Sequence, residues 1–209
     1  MIFRSTPHTT RRHTHHALAF RSFLMLGLSF ALTVAAHAQM SLDNAASDLS
    51  FMSVKNTSQV AELHRFKNLS GGLTSDGKVS LVIDLSSVET GVPIRNERMQ
   101  AMLFEVANFA TARFDGQVDA AAVKALAVGD SKDFEVKGQF ALHGKTQEMT
   151  TRLRVNKLNG GNVAVNTIAP IVVDARQYDL TSGIDKLREV MGLPVIVYTV
   201  PVTFSVVYK

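Results

Sequence analysis

From Leu49 onward the chain alternates apolar and polar residues with a period of two, the mark of strands that bury one face and wet the other. Val79, Leu81, Ile83 and Leu85 alternate with Lys78, Ser80 and Asp84, and only Val82 interrupts the polar side. Ala112, Phe114, Gly116 and Val118 alternate with Arg113, Asp115, Gln117 and Asp119. Extended over the chain, the pattern predicts eight strands, at 49–56, 59–73, 78–85, 111–118, 132–142, 146–157, 162–173 and 195–208. Gly71-Gly72 is expected to kink or bulge the second of these.

The register of one hairpin can be read directly. If His143-Gly144 forms a tight turn, Leu142 faces Lys145, Glu135 faces Arg152 and Asp133 faces Arg154. Phe134, Val136, Gly138 and Phe140 then oppose Leu153, Thr151, Met149 and Gln147. One face is largely apolar and the other carries two opposite-charge pairs, as a correct register requires. Parity places Phe114, Phe134, Phe140, Met149 and Leu153 on the inner face.

Three helical insertions separate strands. The first, Pro93 to Phe104, opens on a proline suited to a first turn; the second, Asp119 to Leu126, has a capping aspartate and stops before Gly129. The third, Ser182 to Met191, aligns Ile184, Leu187 and Met191 and stops at Gly192. No repeat or linker divides residues 39–209, so the expected fold is all-β: one eight-stranded antiparallel barrel with short helical insertions. Such a barrel is filled by side chains or holds one small ligand, and the pattern by itself leaves both open.

The N-terminal segment breaks the pattern. Arg4, Arg11, Arg12 and Arg21 precede the apolar run Phe23 to Ala36, and Ala36-His37-Ala38 follows. A basic region, a short apolar region and an A-x-A site predict a secretory signal over residues 1–38, cut after Ala38. The run of 14 residues is shorter than the roughly 20 needed to cross a bilayer as a helix. The domain proper is then 39–209, and a soluble product in the bacterial periplasm is expected.

This leader also explains the charge. The chain has 22 basic and 18 acidic residues, but four of the bases and none of the acids precede Asp43, so the remainder is balanced. A pI near 9.5 is therefore no argument for a nucleic-acid partner. With no cysteine, thiol catalysis, Cys-ligated metal and disulfide scaffolds are excluded. His8, His13, His15, His16 and His37 leave with the leader, and residues 39–209 keep only His64 and His143. His64, beside Arg65 on a strand, is expected at the surface, and His143 in a turn. Residues 39–209 contain no G-x-S-x-G, H-E-x-x-H, P-loop or G-x-G-x-x-G motif, so no catalytic residue and no metal ligand is assigned.

Leu85-Ser86-Ser87-Val88-Glu89-Thr90-Gly91, then Arg95-Asn96-Glu97-Arg98-Met99, Phe104 and Leu142-His143-Gly144 resemble the ordered motifs of the YceI-like family. Phe51, Lys55-Asn56, Phe66 and Gly71 match as well, and the resemblance runs from about Asp48 to Lys209. Where the family commonly shows R-D-E-H-L, this chain has Asn96 for the acid and Arg98 for the histidine. The resemblance implies a lipocalin-like barrel that binds a polyisoprenoid lipid, such as a quinone or a polyprenyl precursor, without catalysis and without a cofactor. The inner face, with Phe114, Phe134, Phe140, Met149 and Leu153, would meet the tail, and Arg95 the polar head, with transient membrane contact. The alternatives are a filled barrel serving as a stress-related periplasmic interaction module, and an enzyme acting on the isoprenoid head, which would need His64, His143 or the Arg95 region to converge at a pocket.

Overall fold

The computed structural model of the chain describes residues 39–55 and 57–209; the expected leader, 1–38, lies outside the described residues. The described chain forms one antiparallel sheet of twelve strands. These are β1 (Gln39–Ser41), β2 (Asp48–Lys55), β3 (Val60–Phe66), β4 (Leu69–Thr74), β5 (Lys78–Asp84) and β6 (Val88–Glu89). They continue with β7 (Thr111–Gln117), β8 (Ser131–Leu142), β9 (Lys145–Lys157), β10 (Val163–Thr167), β11 (Ile171–Asp174) and β12 (Thr199–Tyr208). The order is β1-β4-β5-β7-β8-β9-β10-β12-β2-β3-β6, with β11 paired to β12. The sheet curls into a barrel because β1 ladders onto β4 while Ser41 exchanges backbone hydrogen bonds with Lys209 beyond β12, at 2.8 and 2.9 Å.

Twelve strands replace the expected eight, because two of the eight divide and two short strands, β1 and β6, lie outside the expected ranges. The expected 59–73 strand breaks at Lys67-Asn68, whose N–H groups donate to the Ser87 carbonyl and the Ser87 hydroxyl. Its halves then take different neighbours, β3 pairing with β2 and β6, and β4 with β1 and β5. The expected 162–173 strand breaks before Pro170, which has no N–H for a ladder. The last strand starts at Thr199, and of the segment before it Ile196 makes one isolated bridge, to Lys55. The kink at Gly71 is a close approach: φ is +148°, and a β-carbon there would lie 2.1 Å from the Ser80 carbonyl oxygen.

The β8–β9 hairpin has the register read from the sequence at every pair from Asp133–Arg154 to Leu142–Lys145. His143 and Gly144 have φ of +50° and +74°, so the two-residue turn has the left-handed backbone that matches strand twist. Asp133 accepts two hydrogen bonds from Arg154, at 2.8 and 3.1 Å. Arg152, although opposite Glu135, places its guanidinium 3.6 Å from Asp133 instead. A double-mutant cycle on urea unfolding is therefore expected to find a coupling of about 0.2–1 kcal/mol for Asp133 and Arg154. A smaller coupling is expected for Glu135 and Arg152; the reverse order would contradict this geometry.

Helix α1 (Pro93–Arg98) runs into a π-helical turn, Met99–Leu103, in which the Phe104 N–H donates to the Met99 carbonyl at 2.9 Å. Helix α2 (Ala120–Lys124) is capped by Asp119, which accepts from the Ala122 N–H at 3.0 Å. Helix α3 (Thr181–Val190) buries Ile184 and Leu187 and lies against the π-helical turn, where Gly183 has no room for a β-carbon: it would stand 2.6 Å from the Met102 carbonyl oxygen. The interior is divided into two apolar clusters, a large one including Leu49, Leu85, Phe104 and Ile184, and a smaller one including Val123, Phe134 and Val155.

Candidate functional site: an apolar hollow

Side chains of both clusters wall a hollow of about 180 Å³. All the ladders except β1 and β6 contribute, and Leu103 and Ile184 close part of it from the helices. The wall is apolar apart from Thr151 and Tyr208. Tyr208 donates to the Ser80 carbonyl at 3.1 Å, and burial pushes its phenol well above the ordinary range, so it stays protonated. For comparison, an engineered apolar cavity of about 150 Å³ stays dry and admits benzene. The interior is thus not completely filled.

Four of the residues expected on the inner face, Phe114, Phe140, Met149 and Leu153, line this hollow. Phe114, Phe140 and Met149 are only half-buried, and Phe140 meets Tyr178 edge-on at 5.6 Å. Phe134 also points inward and is buried, but it belongs to the smaller cluster and does not form part of the wall. Phe114 can lie flat against the sheet because Gly116 and Gly138 face each other across β7 and β8. A β-carbon on either glycine would come within 2.7 Å of its ring. The wall residues of β2 and β12, among them Leu49, Phe51 and Phe204, are not in the expected ligand-facing set, although the alternation of those strands carries the signal.

Arg95 is not in the wall. It donates to Glu62 at 2.8 Å and to the Thr90 carbonyl at 2.6 Å, and Glu62 also meets Lys55 at 2.8 Å. Burial works against the Glu62 charge, but Lys55 and Arg95 outweigh it and hold the carboxyl below its ordinary value. Asn96, which stands in for the family's acid, keeps an acceptor role: its side-chain oxygen takes the Thr90 N–H and hydroxyl at 2.9 and 2.6 Å. Met99 of the same motif is buried in the core.

The two histidines do not converge on this hollow, since neither is in its wall. His143 packs on Phe109, ring centroids 4.3 Å apart, with Glu105 3.9 Å away. His64 corrects the expectation of a surface residue: it is 4% exposed, hydrogen-bonded to the Ser53 hydroxyl at 2.9 Å and tilted against Phe51. The reason is parity, because His64 shares the inner face of β3 with Phe66. Among the described residues no group of three His, Cys, Asp or Glu could hold a metal ion.

Burial, and then the Arg95 guanidinium, lower the His64 pKa, while Glu62 opposes and Lys55 adds to the shift. The unfolded chain takes up this proton as pH falls below about 6.5, while the folded protein does not until a lower pH. The associated stability is present above that value and is lost below it, at no more than ~1.4 kcal/mol per pH unit. His64→Gln is therefore expected to flatten the fall in urea midpoint between neutral and mildly acidic pH. An unchanged pH profile in this variant would exclude His64 as its source.

The fold and the hollow define an antiparallel β-barrel with an apolar interior. The chain belongs to the YceI-like family: the model of the YceI-like domain matches residues 40–208. Among solved structures it is similar to a polyisoprenoid binding domain from Saccharophagus degradans implicated in plant cell wall breakdown. The identity is 43%, covering 83% of this chain and 98% of that one, with a TM-score of 0.80. It also shares the fold of BcnA from Burkholderia cenocepacia, at 19% identity over 80% of this chain and 99% of that one, with a TM-score of 0.61. No curated protein matches the chain.

Proposed function

We propose that this protein binds a polyisoprenoid lipid by its tail in the hollow and carries or sequesters it without chemical change. The observation that carries this reading is the apolar cavity inside the barrel. The likeness to the Saccharophagus degradans polyisoprenoid binding domain supports it. The wall, apolar apart from Thr151 and Tyr208, suits holding a hydrocarbon tail. A hollow of about 180 Å³ receives the first part of a tail, and a longer tail has to displace the half-buried wall side chains, of which Met149 is the most adaptable. Burying 20 carbons gains on the order of 16 kcal/mol against water, at ~0.8 per methylene. A membrane shelters the tail almost as well, so exchange with a bilayer is nearly balanced and suits reversible carriage. Organic extraction of protein purified from its native compartment, followed by mass spectrometry, is expected to yield an isoprenoid. A protein that carries none and binds none when offered it would overturn the reading.

The same proposal includes export: residues 1–38 are removed and the barrel works in the periplasm. What supports this is the basic, apolar and A-x-A sequence of that segment. N-terminal sequencing of periplasmic material is expected to begin at Gln39. An intact leader on a membrane-bound product would overturn the localisation.

A further inference from the structure

The barrel has a gap in its side wall. β9 and β10 are laddered as far as Leu153–Thr167, with one further backbone bond from the Ile168 N–H to the Arg152 carbonyl at 3.5 Å, and beyond that point the chain passes through Ala169 and Pro170 into β11, which pairs with β12 only. Among the described residues no ladder joins β11 to the stretch of β9 before Leu153. A groove of about 440 Å³ lies there, bordered by Glu148 to Arg152 on one side and Ile168 to Val173 on the other. Met149, Thr151, Ile171 and Val173 line both this groove and the hollow, so the two share a wall. Ile168 and Val172 are exposed apolar residues on its border.

From this we infer that the lipid enters and leaves sideways between β9 and β11, and that the groove holds its polar end, which is an uncharged hydroxyl or carbonyl group. The inference rests on the carrier reading above. A four-residue strand laddered on one side, and preceded by a proline, is the part of the wall that separates with the fewest hydrogen bonds lost. The facing strand edges and the side chains of Thr150, Thr151 and Gln177 supply donors and acceptors for a neutral polar group. The charges do not suit a diphosphate. Arg152 shares Asp133, 3.6 Å away, with Arg154 and has Glu148 on the same border of the groove, while the cations Lys145 and Arg176 lie outside its lining and have Asp179 at 2.9 Å and Asp174 at 2.6 Å. Glu148 lines the groove as well and would repel an anion.

The absence of native cysteine allows a clean test. A double variant, Thr150→Cys with Val172→Cys, is bridged across the groove with a reducible bis-thiol cross-linker. The control, Ser131→Cys with Asn156→Cys, ties together directly opposed residues of β8 and β9 away from the groove. Uptake of radiolabelled geranylgeraniol from phosphatidylcholine vesicles is followed over time, with geranylgeranyl diphosphate in a parallel arm. Cross-linking the groove is expected to slow uptake roughly tenfold relative to the same protein before treatment, reversibly on reduction, and to leave the control within about twofold. The diphosphate is expected to bind roughly tenfold more weakly than the alcohol. Equal uptake by the cross-linked groove variant and control would overturn the lateral route while the carrier reading stands. Equal retention of diphosphate and alcohol would overturn the uncharged head. No uptake by untreated wild-type protein would overturn the carrier reading and the groove with it.

Discussion

Phe140→Ala is expected to lower stability by about 3 kcal/mol and to change the lipid that co-purifies. A fully packed Phe costs ~3–5 kcal/mol on truncation, and Phe140, half-buried beside an existing hollow, falls at the low end of that range. The truncation removes the edge-on contact with Tyr178 and enlarges the hollow, so the variant should accept a bulkier or longer tail. Gln139→Ala is the control: Gln139 is exposed on the outer face opposite Glu148, and its loss should alter neither property. Thermal melts and extracted lipid from the wild type and the two variants decide the matter. If Phe140→Ala loses stability but retains an unchanged lipid profile, its ring is core packing and not part of the binding wall.

Gly138→Ala is expected to cost about 3 kcal/mol, the upper end of the usual ~1–3 for overpacking, and to abolish lipid binding. The new methyl would meet the Phe114 ring at 2.5 Å and the Asp115 carbonyl oxygen at 2.3 Å. Swinging the ring into the hollow relieves the first clash, whereas the second requires β7 and β8 to move apart. Gly116→Ala separates these effects. Its methyl meets the same ring at 2.7 Å but the nearest backbone atom, the Lys137 carbonyl oxygen, only at 3.1 Å. It should therefore lose lipid binding with a smaller loss of stability. Retained binding in both variants would show that the flat posture of Phe114 does not set the width of the hollow.

Much of this wall was legible from strand parity. Phe114, Phe140, Met149 and Leu153 fell on the inner face because successive side chains in a strand point to opposite sides whatever the strand pairs with. The β8–β9 register was equally local, since a two-residue turn at His143-Gly144 fixes every pair above it. His64 was misjudged although the same parity applied: its neighbour Arg65 suggested the surface, while Phe66 two positions on marked the inner face.

The fate of Arg95 depended on Glu62, 33 positions earlier in the chain, which neutralises it outside the hollow. The break of the second strand depended on Ser87, and the division of the tenth and eleventh strands by Pro170 left a groove because, among the described residues, no strand ladders onto the free edge of β9 before Leu153. By itself, the sequence determined which face of each strand is apolar, where the tight turn falls and which family the motifs resemble, because these follow from backbone geometry over a few residues. Only the tertiary structure decided that the interior is hollow, that Arg95 is occupied and that the wall opens beside β11. Those features arise from the volumes and ladder partners of segments distant in the chain, and no local pattern encodes them.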